Sequence, residues 1–309
     1  MKKVVVAAVA CYLVVAAVLL WNDEPSSGSV RILTVERPSA FLLTEAAERF
    51  SFFLYLDDPE AFPADRNNIL SAAIGDADET LALTLVEVAR TGMSIRDGDV
   101  DYDEFRYAFT TAGIAIDAGT IELTDALLSL EYAGGLSGSY AVGDVSFVFG
   151  DPGEPRHLDF TRLFAIYNDV DGRDGLAGLV IGLESKTGSP IRLLSVDLHL
   201  ADLAVSLGEA VALDAVPAAD LAVGDLLDDP ARTLLSPPVA GSLSFEDGLY
   251  FLPIVHAGRI RPAARFPIEL TYEYDGRAYR FLIDDFAFRS AYADPSAYGE
   301  AVHRYEHLR

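Results

Sequence analysis

His303-Arg304-Tyr305-Glu306-His307 has the H-x-x-E-H order in which two histidines one helical turn apart bind zinc and a glutamate activates water. That chemistry also needs a third ligand and an enclosed cavity. The third ligand ordinarily comes from later in the chain, and only two residues follow His307 here. The expectation is therefore an exposed polar face rather than a zinc centre.

Two acidic runs carry the other oxygen donors. Asp97, Asp99, Asp101 and Asp103 alternate at the spacing that calcium loops use. The run fails as an EF-hand, because its sixth position is Tyr102 rather than glycine and its twelfth is Ala108 rather than glutamate. Asp169, Asp171 and Asp174 sit together in a second run, where Asp171-Gly172 also suits a hairpin turn and Arg173 would crowd a cation. Both runs are expected to be solvated loops, with calcium at these seven aspartates as the alternative and the only cofactor suggested.

No catalytic or cofactor-binding residue is assigned. No G-x-S-x-G, P-loop or dinucleotide glycine pattern stands between a strand and a helix. With 48 Asp and Glu residues, some pair will always lie at a glycosidase-like separation, so such pairs carry no information. A hydrolase would need a concave site joining His157, His199 or His256 to carboxylates.

The elements that must position these residues read as strands. From residue 30 onward, short alternating runs rich in Val, Ile, Leu, Phe and Tyr are separated by Gly, Asp, Asn and Pro. Fourteen strands are expected, at 30–36, 50–56, 69–74, 81–88, 105–110, 121–123, 128–132, 145–149, 160–167, 176–184, 191–200, 249–254, 266–274 and 279–288. The clearest hairpin is IELTYEYDGRAYRFLIDDFAF, in which Asp275-Gly276 supplies the positive φ angles of a type I′ turn. Its alternation slips by one after Ile283, which predicts a β-bulge near Asp284 or Asp285.

The expected fold is all-β. It comprises an N-terminal transmembrane helix, two tandem immunoglobulin-like β-sandwich domains and a short C-terminal helix. Pairing Phe53 with Phe164 offsets the two blocks by 111 residues, and pairing Tyr132 with Tyr274 offsets them by 142, so the second holds about 31 extra residues. These fall in 201–244, an Ala, Leu, Asp and Pro-rich insertion and the expected home of distinctive function. The domains are then 30–150 and 156–290, with a turn-rich boundary at 150–155. The general look is that of immunoglobulin or fibronectin-type sandwiches, with no signature of either. At 291–309, Asp294 and Pro295 open a segment in which Tyr298, Val302, Tyr305 and Leu308 fall at helical spacing, which predicts the terminal helix.

Residues 4–21 are an uninterrupted apolar run between Lys2-Lys3 and Asn22-Asp23-Glu24, long enough for one membrane crossing with the positive end inside. The anchor and its flank occupy 1–24, and 25–29 form a linker. A cleaved signal peptide or lipidation at Cys11 are the rival readings, and all three predict export. The bulk is expected on the exterior face of the cytoplasmic membrane, N-terminus inside and C-terminus outside. Cys11 is the one cysteine, so the exterior part has no disulfide.

Lys2 and Lys3 account for two of 23 basic residues, leaving 21 against 48 acidic ones outside. Such a surface repels phosphate backbones, which excludes nucleic acid as the expected partner. A protein or envelope component is expected instead. The expectation is non-enzymatic binding, adhesion or envelope scaffolding, with a carbohydrate- or calcium-binding module as the alternative.

Overall fold

Asp275 and Gly276 both hold positive φ, 51° and 68°, and Tyr274 pairs with Arg277 across them, the type I′ geometry that Asp-Gly predicts. Along the same hairpin, Phe266 faces Phe286 but Ile268 faces Ile283, so Asp284 and Asp285 together oppose Pro267. Proline has no N–H to give the ladder, and the extra residue absorbs the missing bond. The predicted bulge is present where the alternation slips.

These positions come from a computed structural model, which describes residues 29–45, 48–111, 119–150, 157–170, 173–215, 234–258, 260, 263–289, 299 and 301–308. The expected anchor, most of the 25–29 linker, the 151–155 part of the boundary, and Asp171, Asp294, Pro295 and Tyr298 lie outside them. Among the described residues no helix is long and apolar enough to cross a membrane.

The protein is all-β, with open sheets packed in a sandwich-like manner. Its first half contains β1 (Ser29–Val35), β2 (Ser39–Leu43), β3 (Phe50–Leu56), β4 (Ile69–Gly75), β5 (Thr80–Asp97), β6 (Val100–Thr110), β7 (Gly119–Tyr132) and β8 (Ser137–Phe149). β5 changes layer along its length: residues 80–83 pair with β4, whereas 84–97 pair with β6. One layer therefore runs β2-β8-β7-β4 into the start of β5, and the other runs from the rest of β5 through β6 and β3 to β1. Between them lies an aromatic core in which Phe50, Phe109 and Phe147 are fully buried beside Phe41 and Phe52.

The second half contains β9 (Leu158–Val170), β10 (Arg173–Ser185), β11 (Ile191–Asp197), β12 (Leu203–Val205), β13 (Val211–Leu213), β14 (Leu243–Phe245), β15 (Gly248–His256), β16 (Ala263–Tyr274) and β17 (Arg277–Arg289). β14, β11, β16 and β17 make one layer, and β9, β10 and β15 the other, with a separate apolar core between them. The described parts of the 201–244 insertion supply short strands: β12 and β13 on β15, and β14 on β11. Short, mainly apolar strands from this region thus line sheet edges.

The blocks that looked related differ at their starts. β9 and β10 are hairpin partners along nearly their whole length, whereas β3 and β4 pair with other strands. Their closing hairpins, β7-β8 and β16-β17, are alike in pairing consecutive strands.

The C-terminal helix is corrected to a strand, β18 (Val302–Leu308), which pairs antiparallel with all seven residues of β1, from Ser29 opposite Leu308 to Val35 opposite Val302. The three-residue spacing of Val302, Tyr305 and Leu308 gives way to a period of two, because an open β1 edge offers partners to the backbone groups along one side of this segment. A short isolated helix has no comparable source of stability. The two halves also share a sheet: β2 runs parallel to β8, and Ser39 pairs with Arg265 of β16.

The Ala141 amide donates to the Tyr305 hydroxyl oxygen at 2.7 Å, and His307 Nε2 lies 3.0 Å from the Tyr140 hydroxyl, itself 2.8 Å from that of Tyr132. Burial pushes the His307 imidazole below its ordinary value of 6.5. The unfolded chain therefore takes up a proton first as pH falls, so this group's contribution to stability is complete above about 6.5 and declines below it. Melting temperature is expected to fall more steeply below that pH in the parent than in His307→Gln; parallel slopes would show that His307 is not the titrating group.

Candidate functional site

Alternation in β3 and β6 decides which side chains face away from the aromatic core. Phe50, Phe52 and Leu54 point inward with Phe105, Tyr107 and Phe109, so Ser51, Phe53 and Tyr55 face outward beside Ala108, Arg106 and Glu104, their cross-strand partners. β16 and β17 of the second half approach this outer face. The result is an open cleft of about 520 Å³ lined by Arg37, Arg49, Arg106 and Arg265, with Glu87, Phe53 and Phe288 among its walls.

Each arginine is held differently. Arg37, between β1 and β2, lies 4.1 Å over the Phe53 ring and 3.5 Å from the buried Glu104 carboxylate. Tyr55 donates to the same Glu104 oxygen at 2.7 Å, and Thr91 donates to the other at 3.0 Å. Glu104 is 3% exposed, so this network fixes the charge of Arg37 in place. Arg106 pairs with Glu87 at 3.0 Å, both half exposed. Arg265 sits 5.4 Å from the Phe41 ring centre, at the point where the halves share a sheet. Arg49 is exposed and has no ion-pair partner among the described residues.

Four of the chain's 23 basic residues thus converge on one cleft in a protein of net charge -25. Guanidinium groups present rigid forks of N–H donors suited to carboxylate and phosphate oxygens.

The residues singled out by sequence pattern lie elsewhere. Asp97 makes a two-bond pair with Arg304 of β18 at 2.5 and 2.8 Å, Asp103 pairs with Arg90 at 2.7 Å, and Asp101 lies 3.6 Å from Arg96. Asp99 is exposed in the turn between β5 and β6. Asp169 and Asp174 are opposite one another in the β9-β10 ladder. Among the described residues, no group of three or more His, Cys, Asp or Glu side chains is arranged to hold a metal.

The H-x-x-E-H pattern is split by the strand. His303 and His307 share a face with Tyr305, while Glu306 points the other way and accepts from the Ser29 hydroxyl. His303 Nε2 lies 2.9 Å from Glu36, and His307 is engaged by Tyr140.

The three hydrolase candidates occupy separate settings. His157 stacks at 4.3 Å on Tyr274 and packs edge-on against Tyr279 at 4.4 Å. His256 is buried, with Nε2 2.9 Å from the Leu176 carbonyl. His199 does meet a carboxylate, Glu269, at 3.2 Å, and Arg280 binds the same group. Burial raises the Glu269 carboxyl, but Arg280 and His199 together outweigh it and leave it below the ordinary carboxylate range. No hydroxyl or thiol among the described residues is bonded to His199.

No protein-family model matches the chain, and no curated protein matches it. Sequence patterns pointed away from the cleft because its four arginines stand at positions 37, 49, 106 and 265 with no fixed spacing. Two signals were nonetheless legible: the outward register of Phe53 and Arg106, and the scarcity of basic residues against which four in one place stand out.

Proposed function

We propose that this protein is an extracytoplasmic binding protein, held to the membrane through residues 4–21, whose sandwich-like halves together present a recognition cleft to a cell-envelope component. It works by binding rather than by catalysis. The observation that carries this reading is the arginine-lined cleft, which draws walls from β3 and β6 in the first half and from β16 and β17 in the second. Clefts between structural units are the usual place for ligand sites, because each unit supplies a preformed wall.

The apolar run at 4–21, flanked by Lys2-Lys3, supports the membrane tether and the exterior placement. Because Ser29 pairs with Leu308, the tether would leave the fold beside the end of β18. The C-terminal strand then lies at the membrane-facing end, rather than at the far tip where a terminal helix on the second half would have been.

A photo-crosslinking residue at position 51, inside the cleft, should capture an envelope macromolecule in the native membrane. The same group at position 187, in the exposed β10-β11 turn, should not. Equal capture from both positions, or from neither, would remove the support for the cleft as the recognition surface.

A further inference from the structure

We infer that the cleft binds oxyanions presented in a row, as carboxylates or phosphates on an acidic polymer, and that Glu87 occupies Arg106 until such a ligand displaces it. This inference rests on the proposed binding role and specifies its ligand. Among the described residues, four guanidinium groups line the cleft with one carboxylate, Glu87, and the buried Glu104 lies behind Arg37. A single small anion would satisfy one or two forks, whereas a series of oxyanions could engage several.

The arginines divide into fixed and available groups. Arg37 is oriented by Phe53, Tyr55 and the buried Glu104, so its fork is set before any ligand arrives. Preset donors lose little freedom on binding. Arg49 is exposed and forms no ion pair among the described residues, so a ligand gains its donors without breaking a bond. Arg106 is intermediate: its bond to Glu87 at 3.0 Å joins side chains 45% and 48% exposed, a pairing weak enough to exchange.

Glu87 thereby acts as an internal competitor. It neutralises Arg106 in the empty cleft and sets a threshold that weak single anions do not cross. Phe53 and Phe288 add apolar wall beside the charges, which suits a polymer with carbon between its charged groups.

Binding to the full chain in mild detergent can be measured by calorimetry with two probes, tetragalacturonate for carboxylates and a short polyphosphate for phosphates. Fully methyl-esterified tetragalacturonate is the uncharged control. At least one acidic probe should bind, with affinity falling steeply as salt is raised, and which one binds identifies the source of the oxyanion. Arg49→Ala and Arg106→Ala should each weaken binding roughly tenfold, the scale of one charge-assisted hydrogen bond. Glu87→Gln should strengthen it about two- to fivefold, the scale of a half-exposed ion pair.

Arg49 and Arg106 are surface groups, so a melting curve suffices to verify folding. Equal binding of the methyl ester overturns the oxyanion inference while leaving a binding cleft intact. Unchanged affinity in both arginine variants moves the site elsewhere, and weaker binding by Glu87→Gln overturns its role as competitor. Failure of both acidic probes alongside selective crosslinking from position 51 would discard this ligand class and keep the proposed function.

Discussion

Phe147→Ala is expected to lower the unfolding free energy by about 3–5 kcal/mol, the range for emptying a buried phenylalanine site. Phe147 is fully buried, stacked on Phe41 with ring centres 5.7 Å apart and edge-on to Phe50 at 5.1 Å. Phe50 in turn touches Phe52 and Phe109, so the void opens at the meeting point of both layers of the first half. Rings already locked against one another cannot swing in to fill it. Phe147→Leu keeps most of the volume and should cost less than about 1.5 kcal/mol. Denaturant titration of both variants checks this; near-equal losses would mean that the site collapses freely and the cluster is not a rigid unit.

Ending the chain after Gly299 should have an effect of similar size, about 5 kcal/mol, assembled from two sources. Burial of Val302 and the Tyr305 ring is lost, worth roughly 1.5–3 kcal/mol for each well-buried side chain. The Ala141 amide loses its bond to Tyr305, at about 1–3 kcal/mol for a buried group left unpaired, while the Tyr140 hydroxyl loses His307 but keeps Tyr132. Hydrogen exchange locates the damage. The β1 amides that face β18 should lose protection while β10 and β15 keep theirs; unaltered protection across β1 would show that β18 does not hold that edge.

These two predictions stand on parts of the molecule that were unequally legible in the sequence. The aromatic core could be read, because Phe50, Phe52 and Leu54 alternate with polar or outward residues and Phe105, Tyr107 and Phe109 do the same on the partner strand. The β16-β17 hairpin could be read down to its bulge, because turn chemistry and strand period are both local properties. β18 could not. Over seven residues, Val302, Tyr305 and Leu308 fit a helical stripe, whereas in the strand Val302 and Tyr305 fall on opposite faces, and only the open edge of β1, far away in sequence, decides for the strand. The inserted region showed its unusual composition but not its use as edge strands, which depends on what β11 and β15 leave uncovered.

The candidate site divides in the same way. Motif spacing drew attention to Asp97, Asp101 and Asp103, and to His303 and His307, yet each is occupied in holding strands together: Asp97 ties the β5-β6 turn to β18, and His303 joins β18 to Glu36. The charges that converge in the cleft come from four separate elements. Their proximity is a product of the shared sheet at Arg265 and of the outward register of β6. A motif encodes neither.

The pairing of β1 with β18 also sets an order of events for folding. Its partners stand at opposite ends of the described chain, 277 residues apart for Ser29 and Glu306, so this ladder cannot close until everything between them has been made. Local hairpins such as β7-β8 and β16-β17 can form early, since their loops are short and little chain entropy opposes closure. β1 must meanwhile wait with one edge bare, an invitation to pair with a neighbouring copy. Refolding should therefore end in a slow phase sensitive to protein concentration, during which a peptide of the β18 sequence could capture the waiting edge.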